Sequence, residues 1–181
     1  MIKAIISDFD GTLVDTFEAN LKAYQDAFKV VGIKLTKDQY RKCFGMRFDD
    51  FMHEMNINDD DKRYKIKDLK KDYYPTHFNL LKPNIGLISL IETFHTYGCK
   101  TAIASTARKE NLMNAIKYLG IEDNFDLIFS GIDVKQGKPS PEIYIKTMKT
   151  LDVKPEETLI FEDSEVGYQA AKASGALFIK V

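Results

Sequence analysis

Short apolar runs recur along the chain, and a stretch with helical spacing follows most of them. Residues 3–7 (KAIIS), 100–105 (KTAIAS), 126–130 (DLIFS), 158–161 (TLIF) and 177–181 (LFIKV) are short, rich in isoleucine and bounded by polar or glycine residues. Those are the marks of buried strands. Between them, residues 85–97 and 109–119 carry amphipathic patterns that stop at Gly98 and Gly120, as helices do. Ser140-Pro141-Glu142 sets a capping serine and a first-turn proline ahead of Ile143, Ile145 and Met148. Residues 164–174 form another helical stretch, ended by Gly175. Strand and helix in alternation predict an α/β fold, a Rossmann-like parallel sheet covered on both faces.

Residues 16–81 break the alternation. They contain no convincing strand, and Phe17, Leu21, Tyr24, Ala27, Phe28 and Val31 mark one apolar helical face closed by Gly32. Residues 58–61 (NDDD) read as a turn opening a helix over 61–73, and Pro75 and Pro83 punctuate the return. The pattern predicts a main domain from residues 1–15 and 82–181, with an all-helical domain inserted over 16–81.

With 181 residues the chain is long enough for that arrangement. Its 44% hydrophobic and 29% charged content is that of a soluble globular protein. Acidic and basic residues nearly cancel, 27 against 26, which gives no footprint for nucleic acid. The opening MIKAIISDFD fits neither a signal peptide nor a span, and no apolar run approaches the roughly 20 residues a membrane helix needs. Cys43 and Cys99 lie far apart without a metal or redox spacing, so reduced thiols in a cytoplasmic protein are expected. His53, His77 and His95 are scattered and receive no role. Nothing indicates an obligate protein partner.

The chemistry gathers at the predicted strand ends. The first strand runs into Asp8-Phe9-Asp10-Gly11-Thr12, two acids at the edge where open parallel sheets bind ligands, with Gly11 allowing a tight turn. Taken alone, the pair could simply terminate the strand as turn formers. The second strand ends at Ser105-Thr106, which offers a hydroxyl and a backbone N–H to a phosphoryl oxygen, or a helix cap. After the third comes Gly137-Lys138-Pro139, a lysine held between residues that restrict the backbone, or a solvated surface charge. The fourth ends at Glu162-Asp163-Ser164, acids that could also complement a helix dipole. Caps and turns do not easily explain all four together.

As a set, these residues resemble the haloacid-dehalogenase-like superfamily of phosphotransferases. The matching segments are Asp8-Phe9-Asp10-Gly11-Thr12-Leu13-Val14-Asp15, Ser105, Gly137-Lys138-Pro139-Ser140-Pro141-Glu142 and Phe161-Glu162-Asp163-Ser164, followed by Gly167 and Ala170-Ala171. The resemblance covers essentially the whole chain and is closest to the β-phosphoglucomutase and phosphoglycolate-phosphatase branch. It implies that Asp8 is a nucleophile forming an aspartyl-phosphate and that Asp10 is the acid and base. It implies Mg2+ held by Asp8, Asp163 and the Asp10 carbonyl, with Glu162 in support. Lys138 would neutralise charge, Ser105 would hold a phosphoryl oxygen, and the N–H groups of Phe9, Asp10 and Thr106 would complete the cradle. The helical insertion resembles the family's cap, with Arg47 a candidate for the distal part of the substrate and Arg108 a second basic candidate. For each, a solvent-facing arginine is the alternative. The implied partner is a small phosphorylated metabolite, hydrolysed by a phosphatase. A sugar phosphomutase shares every catalytic residue, although Ala107 and Lys109 differ from the small polar residues some mutases carry there. A phosphoryl-receiver domain is the non-enzymatic alternative, and it needs neither Asp10 nor a cap. The end of the chain at Val181, right after the fifth strand, leaves that sheet edge expected to be less covered.

Overall fold

The computed structural model describes residues 1–181. In chain order, strand β1 (Ala4–Ser7) and the two-residue β2 (Val14–Asp15) come first. Helices α1 (Phe17–Val30), α2 (Lys37–Cys43), α3 (Phe48–Glu54) and α4 (Asp60–Tyr73) follow, and a 3-10 helix (Tyr74–Leu80) leads to β3 (Lys82–Pro83). Then come α5 (Ile85–Thr96), β4 (Lys100–Ala104), α6 (Lys109–Leu119), β5 (Leu127–Phe129), α7 (Glu142–Thr150), β6 (Thr158–Glu162), α8 (Glu165–Ser174) and β7 (Leu177–Lys180). Two compact units result, one of Met1–Asp15 with Lys82–Val181 and one of Thr16–Leu81. No helix is long and apolar enough to cross a membrane.

The first unit is built on a five-stranded sheet in the order β5-β4-β1-β6-β7. Every pairing in it is parallel, so the α/β sheet expected from the alternating pattern is what the chain forms. β1 occupies the centre because all four of its residues are buried and its two isoleucines suit a strand covered on both faces. Ser7 pairs with Ile103 on one side and Phe161 on the other, so β1, β4 and β6 end at nearly the same level. The chain places β4 and β5 on one side of β1 and β6 and β7 on the other. Sheets with such a reversal bind ligands outside the strands' C-terminal ends at that point. Ile6, Ala102, Ala104, Ile143, Tyr144 and Ile160 belong to the buried core behind it.

Several local features differ from the sequence pattern. β7 is not a buried strand: it has one neighbour, β6, and Leu177, Phe178 and Ile179 are exposed at this edge. β2 and β3 form an antiparallel ribbon that pairs Asp15 with Lys82, too short to leave any periodicity in sequence. α7 begins at Glu142, with Pro141 in the capping position; Ser140 Oγ accepts the Glu142 N–H at 3.3 Å but does not cap the helix end.

The second unit contains helices and no strand. Its core joins Leu21 and Phe28 of α1, Tyr40 of α2, Phe51 and Met52 of α3 and Ile66 of α4. Phe51 lies at its centre, with ring centroids 5.1 Å from Tyr24, 5.6 Å from Phe28 and 5.7 Å from Tyr40, the spacing at which aromatic pairs add to simple area burial. Thr36 and Gln39 form a capping box at the start of α2, and Asp59 caps α4.

Candidate active site

Asp8 follows β1 directly, and its N–H donates to the Phe161 carbonyl at 3.0 Å, continuing the pairing with β6 one residue beyond the strand. The chain then turns tightly: Gly11 N–H donates to the Val14 carbonyl at 2.8 Å and Val14 N–H to the Phe9 carbonyl at 3.0 Å. Gly11 has φ +95°, and a Cβ there would lie 2.2 Å from Asp163 Oδ2, so both backbone and neighbour require glycine. This turn aims Thr12 at the second acid pair, and its hydroxyl donates to Asp163 Oδ1 at 2.9 Å. The Phe9 side chain is buried in the core, which leaves only its main chain to face a ligand.

Glu162, the last residue of β6, is fully buried. Its Oε1 accepts from the Lys138 ammonium and the Tyr144 hydroxyl. Its Oε2 accepts from the N–H groups of Asp163 and Ser164 and from the Ser164 hydroxyl, at 3.2–3.4 Å. Gly167 makes the room, since a Cβ there would sit 2.0 Å from this carboxyl group.

Lys138 bridges the two acid pairs. Its side chain is 5% exposed, and Nζ donates to Asp8 Oδ1 at 2.6 Å as well as to Glu162. The loop carrying it is braced by Glu142, whose carboxylate accepts the N–H groups of Lys135 at 2.9 Å and Gln136 at 2.8 Å. Those two bonds hold the Glu142 carboxyl below its ordinary pKa.

Ser105 caps the neighbouring strand β4. It is buried, its N–H donates to the Phe129 carbonyl at 3.1 Å, and its Oγ accepts the Ala107 N–H at 3.0 Å. Its hydroxyl hydrogen is thereby left to donate. Thr106 beside it is exposed.

Burial dominates the electrostatics. It pushes the Asp8 carboxyl up to about 8, with Glu162 and Asp10 adding to the rise and Lys138 opposing it. Burial also pulls the Lys138 ammonium down, but Asp8 and Glu162 outweigh it and the net shift is upward. Asp163 is raised by burial, with the Thr12 hydrogen bond working against the rise.

Asp8, Glu162 and Asp163 each bring a carboxylate oxygen within 4.8 Å of the others. An all-oxygen donor set suits a hard cation such as Mg2+. With Asp8 ionised, three carboxylates face one ammonium, an excess of two negative charges that a divalent cation would balance.

The structure therefore gathers Asp8, Glu162, Asp163 and Lys138 into one hydrogen-bonded cluster, with Asp10 among the charges acting on Asp8. Arg108, in the same unit, is not bonded to that cluster. Arg108 is exposed, its guanidinium 4.0 Å from Glu110. Arg47 is exposed on the second unit, immediately before α3. Sequence reasoning gave no role to Thr12, Glu142 or Tyr144. Thr12 and Glu142 stood inside the quoted motifs, whereas Tyr144 lies on an apolar helical face where it reads as core.

The family model described as "Haloacid dehalogenase-like hydrolase" matches residues 5–181. The chain belongs to this family. Within it, the chain is 32% identical over 178 residues to the phosphorylated carbohydrates phosphatase of Thermotoga maritima, a match covering 96% of this chain and 82% of the relative. It is 29% identical to the pyrophosphatase PpaX of Halalkalibacterium halodurans over 96% of this chain and 80% of that one. Among solved structures of similar proteins, CbbY from Rhodobacter sphaeroides in complex with phosphate superposes with a TM-score of 0.90 at 27% identity, covering 99% of this hydrolase-family chain and 86% of the other.

Proposed function

We propose that this chain is a magnesium-dependent phosphatase acting on a small phosphorylated metabolite, a sugar phosphate or similar, through an aspartyl-phosphate on Asp8. The observation that carries this is Lys138 Nζ placed 2.6 Å from Asp8 in a buried cluster that also holds Glu162 and Asp163. The names of the similar proteins, a phosphatase of phosphorylated carbohydrates and a CbbY that binds phosphate, support the same reading.

In the first step an Asp8 oxygen attacks phosphorus, forming an acyl phosphate as the bond to the leaving oxygen breaks. Asp10 gives its proton to that oxygen, then takes one from the water that attacks phosphorus, and inorganic phosphate leaves with Asp8 restored. Lys138 stands against the charge that gathers between Asp8 and the phosphoryl group. The free hydroxyl hydrogen of Ser105 and the N–H groups of Phe9, Asp10 and Thr106 would hold the equatorial oxygens. Asp8, Asp163 and the Asp10 carbonyl, with Glu162 beside them, would hold Mg2+, which when bound shields the carboxylate from the negative charge of its target. Residues 16–81 would serve as the cap that selects the substrate and excludes water, with Arg47 and Arg108 as the basic candidates for its distal part.

The test is phosphate release from a panel of phosphorylated metabolites, with Mg2+ or with EDTA. Magnesium-dependent release from one group of sugar phosphates or small phosphorylated acids is the expected result. Isomerisation of a hexose 1-phosphate without release would make the chain a mutase, and neither reaction from folded protein would sink the proposal.

A further inference from the structure

We propose that Tyr144 is a positioning residue for Lys138, acting through Glu162, an inference that rests on the phosphatase reading above. Tyr144 is wholly buried on α7, and its hydroxyl donates to the same Glu162 oxygen that receives Lys138. The Lys138 Nζ lies 5.0 Å from the Tyr144 ring centroid, so the ring stands by the ammonium while the hydroxyl bonds its anchor. The second Glu162 oxygen is held by the N–H groups of Asp163 and Ser164 and by the Ser164 hydroxyl. With Oε2 fixed by the chain that follows β6, the Tyr144 bond is what fixes the carboxylate on the Oε1 side.

A carboxylate oxygen that already accepts from a phenol shares its charge between two donors, and each bond is weaker than it would be alone. Tyr144 thus sets both where Lys138 stands and how firmly Glu162 holds it. That matters for the chemistry, because the ammonium must follow charge from Asp8 onto the phosphoryl group. Glu142, two residues earlier on the same helix, already braces the backbone of the Lys138 loop. The first turn of α7 therefore controls the loop with a carboxylate and the ammonium with a phenol.

Tyr144→Phe keeps the ring and the packing and removes only the hydroxyl. With the substrate found in the metabolite panel, kcat is expected to fall about tenfold, the loss of one hydrogen bond to a charged group, with KM held within about twofold. In a Lys138→Met background the same change is expected to cost nothing further, because the group it positions is gone. Lys138→Ala, which also removes the ammonium, is the second background should Lys138→Met fail to fold. An unchanged kcat in Tyr144→Phe, or losses that simply add in the double variant, would overturn the proposal. Urea unfolding of the same four proteins gives a readout independent of turnover. Midpoint shifts that fail to add support the coupling, and additive shifts refute it. If the wild type releases no phosphate, the phosphatase reading alone falls and the urea cycle still decides whether Tyr144 and Lys138 act together.

Discussion

Asp8→Asn is expected to lose phosphate release by at least about three orders of magnitude, because removal of a covalent nucleophile leaves only binding and electrostatic contributions. An amide at this position keeps the size of the side chain and an oxygen for Lys138 to reach, so KM should change far less than kcat. The same substitution is expected to change stability in the opposite direction. The Asp8 carboxyl is pushed from 3.8 up to about 8, chiefly by burial. Between those values the unfolded chain has released this proton while the folded chain retains it. Folding stability from Asp8 therefore falls as pH rises from about 4 to about 8. Asn has no proton to release, so the variant should gain on the wild type across that window. Urea midpoints of both proteins in EDTA, measured at several pH values, check this. A gap that narrows with rising pH would contradict the burial argument.

Lys138→Met is expected to damage both activity and stability. The ammonium is the only positive group bonded to Asp8 and Glu162, and its side chain is 5% exposed. Removing one partner from a buried ion pair costs about 3–5 kcal/mol, since the charge left behind has no water to return to. Asp8 itself carries a proton below about pH 8, which places the loss toward the lower end of that range. For turnover, deleting one preorganised charge next to the reacting phosphoryl group costs about 10²–10³-fold in kcat. The pair of effects separates Lys138 from an exposed lysine such as Lys3, whose ion pair with Glu157 lies at the surface. Unchanged stability alongside lost activity would mean that Asp8 and Glu162 do not depend on this charge in the folded protein.

The sheet was legible because strands covered on both faces must be continuously apolar, and β1 with Ile5 and Ile6 is the plain case. Residues 177–181 carry the same kind of sequence but lie at an edge, and only the pairing order separates an edge strand from a central one. The ribbon of β2 and β3 rests on two residues from each side, below the length at which alternation carries any signal. Asp8, Ser105 and Glu162-Asp163 could be grouped from sequence because parallel strands end at one level, which the pairing of Ser7 with Ile103 and Phe161 reproduces. What sequence left out are the supports. Gly167 appears in the quoted motif, but its reason is the Glu162 carboxyl above it. Tyr144 and Leu or Phe at that position would give the same helical pattern, and the hydroxyl acquires meaning only from the buried carboxylate it meets.

The most direct measurement for the account is chemical trapping of the enzyme during turnover. The protein is mixed with its best substrate and Mg2+, quenched in acid, and mapped by mass spectrometry of its peptides. A phosphoryl group on the peptide containing Asp8, absent in Asp8→Asn and lost as the quench is delayed after substrate runs out, is the predicted result. Phosphate release with no phosphoryl group on the chain at any time, or with the group on a different residue, would contradict the assignment of Asp8 as nucleophile.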